Sequence, residues 1–335
     1  MKKISWFTPQ SNDLSGQSWY SMGYQNAALS MITALNNKGI GVFYNKPEIP
    51  FHINFCQPAY YQNKSEYVIG YTPWESTIVP PGWKVPMSLC NEIWATSEFV
   101  KDIYEKAGLA GSVKVIPHGI SEDFKIVDRE IVDTFYFLHV GGDSKRKNAQ
   151  MAVDAFLENF DGNSSFKLIL KSNGFYNAQV NLNGKIMPAA QHPQIVNIDY
   201  AVSVDELMSL YSKCHCLVYP TSGEGFGMIP FETIATGMPS IVTNLTGTAD
   251  FAKYSVPLQA HWGEASLQSD HYGTNAGMWA VPDFDQLVSL MRHVVNEFEE
   301  FKKYTIQSAK ILHQRQSWAS VADMIIERIE HFENL

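Results

Sequence analysis

Tyr219-Pro220-Thr221-Ser222-Gly223-Glu224-Gly225-Phe226-Gly227-Met228-Ile229-Pro230-Phe231-Glu232 is the stretch whose reading decides the fold. Residues 217–220 form a short apolar strand, a glycine-bearing loop follows, and a helix opens near Gly227. Pro230 falls in the early turns of that helix, where a missing N–H is tolerated. Gly225 and Gly227 permit backbone geometries, and a closeness to ligand, that a Cβ would block. The free N–H groups of such a helix start favour phosphate. Glu224 stands on the loop itself. Glu232 lies about one and a half turns into the helix, so the two carboxylates reach different parts of one ligand.

The same alternation of short β-rich runs and amphipathic helices extends in both directions, the pattern of parallel sheets with crossover helices. In the first half, strands are expected at residues 4–8, 40–44, 52–56, 67–71, 92–96 and 113–116. Ser97 is placed to cap a helix whose apolar side is Phe99, Ile103 and Ala107. Polar, charged residues 121–133 read as a linker. The second half restarts with strands at 134–140, 166–171, 195–200, 217–220 and 240–243. Val153, Phe156, Leu157 and Phe160 fall at helical spacing between the first two. Residues 172–194 read as a polar excursion, and residues 284–313 and 318–332 as two long helical stretches. Two α/β halves of similar size are expected to hold a ligand where strand ends meet loops.

Composition agrees with a folded enzyme. The chain has 335 residues, 45% hydrophobic and only 18% charged, which suits roughly two domains and excludes disorder driven by charge. A net charge of −9 argues against a protein built to coat nucleic acid or an anionic membrane. Four cysteines in such a length make no disulfide framework, and no apolar run approaches the ~20 residues of a membrane span. A reduced, cytoplasmic enzyme is the expectation.

Val140-Gly141-Gly142-Asp143-Ser144-Lys145-Arg146-Lys147-Asn148 carries the second signal. Alone, three cations read as an exposed turn. At the carboxyl end of a strand, in the same half as the Glu224 loop, they make a pyrophosphate clamp that needs no metal. In the first half, Trp74 and Glu75 follow a strand within Tyr71-Thr72-Pro73-Trp74-Glu75-Ser76-Thr77, and an aromatic face beside a carboxylate suits a sugar. A buried Trp and a capping Glu explain the same residues. The loop around Gly16 is a weaker candidate for phosphate, and His118 a candidate for the acceptor side. Asp283-Phe284-Asp285 has the spacing of a metal-binding D-x-D, but it follows Pro282 and opens a helix, where acids cap. Cys214-His215-Cys216 lacks a second ligand cluster and enters a strand, so core residues are expected there. No G-x-G-x-x-G follows the first strand of either half, which disfavours a nicotinamide oxidoreductase.

Glu224 through Glu232 form an E-x7-E element, and the EGFG after Tyr-Pro-Thr resembles that of family 4 retaining glycosyltransferases. Arg146-Lys147-Asn148 after a Val-Gly-Gly strand end is similar to the family's donor-phosphate segment. YTPWEST (71–77), NEIWATSEFV (91–100) and VKVIPHGI (113–120) resemble the acceptor-side half of a subgroup, and the modest length resembles compact bacteriophage-type members. The resemblance implies an α/β GT-B fold: two facing Rossmann-like domains with a cleft between them and a C-terminal helix crossing back. The domains would be residues 1–125 on the acceptor side and 131–313 on the nucleotide-sugar donor side, with 314–335 packing on the first. It implies catalysis by Glu224, Arg146 and Lys147, donor contacts from Gly225, Phe226, Gly227 and Met228, and ribose contacts from Glu232. Relatives often carry a His-acid pair where Trp74-Glu75 stands, and an Arg where Gly142 stands, so Arg146 must substitute. The implied reaction is retaining, metal-independent transfer from a UDP- or GDP-linked sugar to a hydroxyl of a glycan or lipid-linked saccharide, with no further cofactor. Two alternatives are a hydroxymethylated DNA base as acceptor and a non-catalytic sugar-nucleotide binding protein.

Overall fold

The computed structural model describes residues 2–9, 22–109, 112–142, 145–172, 178–182 and 184–333. The chain divides into two compact units, one of Met1–Ser121, Gln268–Gly277 and Arg315–Leu335, the other of Glu122–Leu267 and Met278–Gln314. Each unit is built on its own six-stranded parallel sheet.

In the first unit the elements run β1 (Lys3–Phe7), α1 (Met22–Asn37), β2 (Gly41–Tyr44), β3 (Phe51–Phe55), β4 (Tyr67–Tyr71), α2 (Pro81–Ser88), β5 (Glu92–Ala95), α3 (Glu98–Lys106) and β6 (Ser112–Val115). The sheet order is β2-β1-β3-β4-β5-β6. Its central strands are buried on both faces: Ile4, Trp6, Ile53, Phe55 and Ile69 share one face, while the other buries Phe7, Val68 and Ile93 together with the polar Ser5, His52 and Asn54. Ser97 caps α3 as expected, its hydroxyl accepting the Val100 N–H at 3.3 Å.

The second unit runs β7 (Phe135–Val140), α4 (Ala149–Phe160), β8 (Phe166–Lys171), β9 (Gln179–Leu182), β10 (Lys185–Pro188), β11 (Ile195–Ile198), α5 (Val204–Lys213), β12 (Cys216–Tyr219), α6 (Met228–Ala235), β13 (Ser240–Thr243), β14 (Val256–Leu258), β15 (Ala260–Glu264), α7 (Ser266–Tyr272), β16 (Met278–Pro282), α8 (Phe284–Asn296) and α9 (Phe298–Arg315). Most of α7 belongs with the first unit. The sheet order is β11-β8-β7-β12-β13-β14, so the winding direction reverses between β7 and β12. A ligand site is expected outside the carboxyl ends of the two strands flanking such a reversal. Val153, Phe156 and Phe160 of α4 pack with Phe137, Leu168, Val218 and Met291 in the core of this unit.

Four readings of the sequence change. Residues 172–194 are not merely a polar excursion, since they contain the antiparallel pair β9 and β10. The stretch 284–313 is two helices, separated at Glu297, whose N–H still bonds to His293 but whose φ of −116° and ψ of 32° leave the helical basin. Helix α2 was hidden by its prolines: two precede or open it, and Pro86 lies inside. The small sheet β15–β16 joins strands of mixed exposure that show no alternation of polarity.

The final helix, α10 (Trp318–Glu333), belongs with the first unit. It buries Val321, Ala322, Ile325 and Ile329 and adds an ionic tie. The Glu92 carboxylate is buried and accepts from Trp94 Nε1 at 2.8 Å, Arg328 Nη2 at 2.5 Å and Arg328 Nε at 3.1 Å. Phe332 lies 5.5 Å from the Phe51 ring, and Lys38 meets Asp323 at 2.7 Å. Removing one partner of a buried pair strands the other charge. Arg328→Ala should therefore destabilise the first unit by about 3 kcal/mol, read as a lower urea midpoint. Arg328→Lys should recover only part of that, because the two-pronged contact is lost.

Candidate active site

The loops that follow β7 and β12 meet where the second sheet reverses its winding, and side chains stitch them together. The first loop turns tightly through Lys145–Lys147. Gly141 makes room for it, because a Cβ there would stand 3.2 Å from the Lys147 Cβ and Cγ. Asn148 takes left-handed backbone, φ 53°, and its amide donates at 2.8 Å to both the Pro220 carbonyl and Ser222 Oγ. The Ser222 N–H in turn donates to the Arg146 carbonyl at 2.7 Å.

At the centre of this junction is one carboxylate oxygen. Glu224 Oε1 accepts from Lys147 Nζ at 2.5 Å, from the Tyr219 hydroxyl at 3.0 Å and from Thr221 Oγ1 at 3.0 Å. Arg146 Nη1 stands 3.2 Å away and also donates to the Gly223 carbonyl. Burial alone would push the Glu224 carboxyl up, but Lys147 and Arg146 hold it down at about 2. The structure brings Arg146 and Lys147 to the Glu224 carboxylate.

A third segment, not singled out from sequence, braces the loop from behind. Thr246 Oγ1 accepts the Glu224 N–H at 3.2 Å, and the Gly247 N–H donates to the Glu224 carbonyl at 2.8 Å. Thr246 has φ 60°, uncommon for a β-branched residue and a local cost the fold sustains. Gly227, the residue before α6, has φ 100°, and a Cβ on it would lie 2.7 Å from Thr248 Cγ2. Only glycine fits. The torsion expected of Gly227 is present, and the space it spares is taken by Thr248.

Glu232 sits inside α6, buried, its Oε2 accepting from the Tyr211 hydroxyl at 3.3 Å. Burial raises its carboxyl to about 8. Arg129 was read as part of a linker, yet it is buried and braces the neighbourhood of Glu232. It donates to the carbonyls of Tyr211, Cys214, Val127 and Thr236 and to Thr236 Oγ1. Its contacts are all with residues distant in sequence or with carbonyls, so spacing had no means of finding it.

The first unit corrects two expectations and leaves one outside view. Trp74 is not an open platform: it is fully buried, with the rings of Trp83 and Tyr272 at 4.7 and 5.3 Å. The α2 helix, unseen in the sequence, carries Trp83 over it. Glu75 accepts from Gln268 Nε2 at 3.1 Å. His118 does not present its imidazole to an acceptor; it is enclosed by Phe55, Tyr71 and Trp318, and burial lowers it to about 3. Gly16 lies outside the described residues.

The weaker motifs resolve as structure. Asp283 caps α8 through the Gln286 N–H at 2.9 Å. Cys214 and Cys216 are buried free thiols, and His215 Nδ1 accepts the Tyr136 N–H at 3.0 Å. Among the described residues, no group of three or more His, Cys, Asp or Glu is placed to hold a metal ion.

The two glutamates give the fold opposite pH dependences. Glu224, held near 2, stabilises the native state above its ordinary 4.5, and that contribution is lost as pH falls toward 2. Glu232, raised to about 8, favours the native state fully below 4.5, and this advantage disappears as pH rises through 8. Urea unfolding of Glu232→Gln from pH 4 to 8 should show a flatter profile than the parent, gaining relative stability toward pH 8. Parallel profiles would remove the buried, proton-holding carboxyl.

Comparisons with known proteins follow the same lines. Among solved structures, sucrose-phosphate synthase from Thermosynechococcus elongatus matches with a TM-score of 0.69 at 12% identity, covering 100% of both chains. Anabaena HepE in complex with UDP and glucose matches with a TM-score of 0.67 at 12% identity, covering 99% of this chain and 100% of HepE. These likenesses show the GT-B fold. The O-antigen chain mannosyltransferase RfbU of Salmonella typhimurium is 30% identical over 165 residues, 48% of this chain and 44% of RfbU, so the match spans less than half the length of that relative. A model of the family described as family 4 glycosyltransferase in conflict systems matches residues 108–325, well over half of the chain and including every residue of the Glu224 junction. The chain belongs to that family.

Proposed function

We propose that the protein transfers a sugar from a nucleoside-diphosphate sugar to an acceptor hydroxyl, with retention at the anomeric carbon. The observation that carries this is the crowding on Glu224 Oε1. Two cations, Lys147 and Arg146, and the hydroxyls of Tyr219 and Thr221 face one carboxylate oxygen at the ends of β7 and β12. A diphosphate carries several acceptor oxygens with which those cations can pair, at the sheet reversal and beside the start of α6.

In this reading the bond from the anomeric carbon to the diphosphate oxygen breaks, the acceptor oxygen bonds to that carbon, and its proton is released. Arg146, Lys147 and the N–H groups opening α6 stabilise the negative charge that gathers on the departing diphosphate. They do so without a metal, and no cofactor beyond the donor is assigned. Glu224 Oε1 is anchored, while among the described residues Oε2 accepts no hydrogen bond and is left for a sugar hydroxyl. Glu232 accepts from ribose hydroxyls. UDP is the first nucleotide to try, since HepE is bound to UDP and glucose.

RfbU, an O-antigen chain mannosyltransferase, supports a glycan or lipid-linked saccharide as acceptor. A second acceptor is a hydroxymethylated base in duplex DNA, against which the net charge of −9 counts. Measuring duplex binding across salt concentration separates the two, because a DNA acceptor requires affinity that falls steeply with salt. A silent binding protein would hold UDP-sugar without hydrolysing it. The four buried thiols suit the cytoplasm, and no helix among the described residues is long and apolar enough to cross a membrane.

Lys147→Ala should lower kcat/KM about 10²- to 10³-fold, as expected when a cation facing the leaving group is removed. Unchanged turnover would end the clamp assignment. Glu224→Gln should act in two directions: UDP alone binds severalfold more tightly, because the cations lose their internal partner, while sugar transfer falls. Weaker UDP binding in that variant, by calorimetry, would contradict the competition between carboxylate and diphosphate.

A further inference from the structure

The donor junction contains a polar group that neither the sequence reading nor the family assignment gives a role: the hydroxyl of Tyr219. Tyr219 is the last residue of β12, directly at the reversal of the second sheet, and is 1% exposed. The strand positions before it, Leu217 and Val218, are ordinary core residues. A phenylalanine would satisfy packing there. The phenol instead accepts from Lys147 Nζ at 2.6 Å and donates to Glu224 Oε1 at 3.0 Å. One hydroxyl has the single proton and the lone pairs this requires, so it bridges cation and anion in a defined sense. Lys147 Nζ also lies 5.2 Å from the centre of the Tyr219 ring, and the His139 ring stacks against the Tyr219 ring at 6.1 Å and 27°. His139 is itself tied to the Val218 carbonyl at 2.8 Å, so the phenol has a fixed mount.

We propose that Tyr219 is a positioning residue of the donor site, setting the geometry of Lys147 relative to Glu224 so that the ammonium can exchange the carboxylate for a phosphate oxygen. The inference rests on the donor reading above. Without the phenol, Lys147 loses the hydroxyl acceptor at 2.6 Å that helps to hold its ammonium beside Glu224, and Glu224 Oε1 keeps Lys147, Arg146 and Thr221 but loses one donor. Hydrogen bonds to charged groups are the strong ones, so the effect is measurable from one deleted oxygen.

The test is calorimetric titration of UDP, with GDP and ADP in parallel, into the parent, Tyr219→Phe, Glu224→Gln and the double variant. Tyr219→Phe should weaken nucleotide binding about tenfold with little change in melting temperature. The two substitutions should combine non-additively, by more than about threefold in affinity. A role limited to packing moves the melting temperature and leaves the cycle additive. Unchanged affinity in Tyr219→Phe, or additive effects, overturns the positioning role while the donor reading stands. If none of the three nucleotides binds the parent protein, the donor reading falls and takes this inference with it.

Discussion

Two half-buried cations and one buried carboxylate at the ends of neighbouring strands are the constraint on which the loops of the second unit depend. Buried charge is tolerated only when paired and hydrogen-bonded, and the Glu224 junction meets that condition through side chains from two loops and support from a third. Each supporting feature has a cost of its own: left-handed Asn148 and Thr246, and a glycine at 227 that nothing else can replace. Such local costs persist where surrounding structure enforces them, and they gather here around a single oxygen.

In the proposed reading, Glu224 holds in the resting protein the two cations that a diphosphate would take, so the donor site is assembled before the donor arrives. Preassembly removes the ordering cost from binding but replaces it with competition. Glu232 is poised differently. Raised to about 8, it waits largely protonated near neutrality, and ligand hydroxyls must compensate its burial if it is to ionise.

Much of this was legible in the chain itself. Parallel strands announced themselves as apolar runs between helical periodicities, and β7, β8, β12 and β13 fall where periodicity put them. Glu224, Arg146 and Lys147 were visible because glycines and charges next to strand ends are conspicuous against an apolar background. Thr246, Arg129 and Tyr219 were not, because their importance lies in what they touch across the fold. Trp74 shows the opposite failure: an aromatic beside an acid reads as a sugar platform, and only the proline-rich helix bearing Trp83 reveals that it is covered. The α7 segment, sequentially in the second half, associates with the first, and chain order offers no hint of it.

The docking of α10 on the first unit has a consequence for biosynthesis. Strands β1 to β6 leave the ribosome first, yet the helix that carries Arg328 to the buried Glu92 is made more than two hundred residues later. At about 5–20 residues per second, the nascent first sheet spends ten seconds or more with an acid and the Phe51–Tyr67 apolar surface uncapped. The first unit is therefore begun before the second and completed after it, and its sheet waits for α10 throughout that interval.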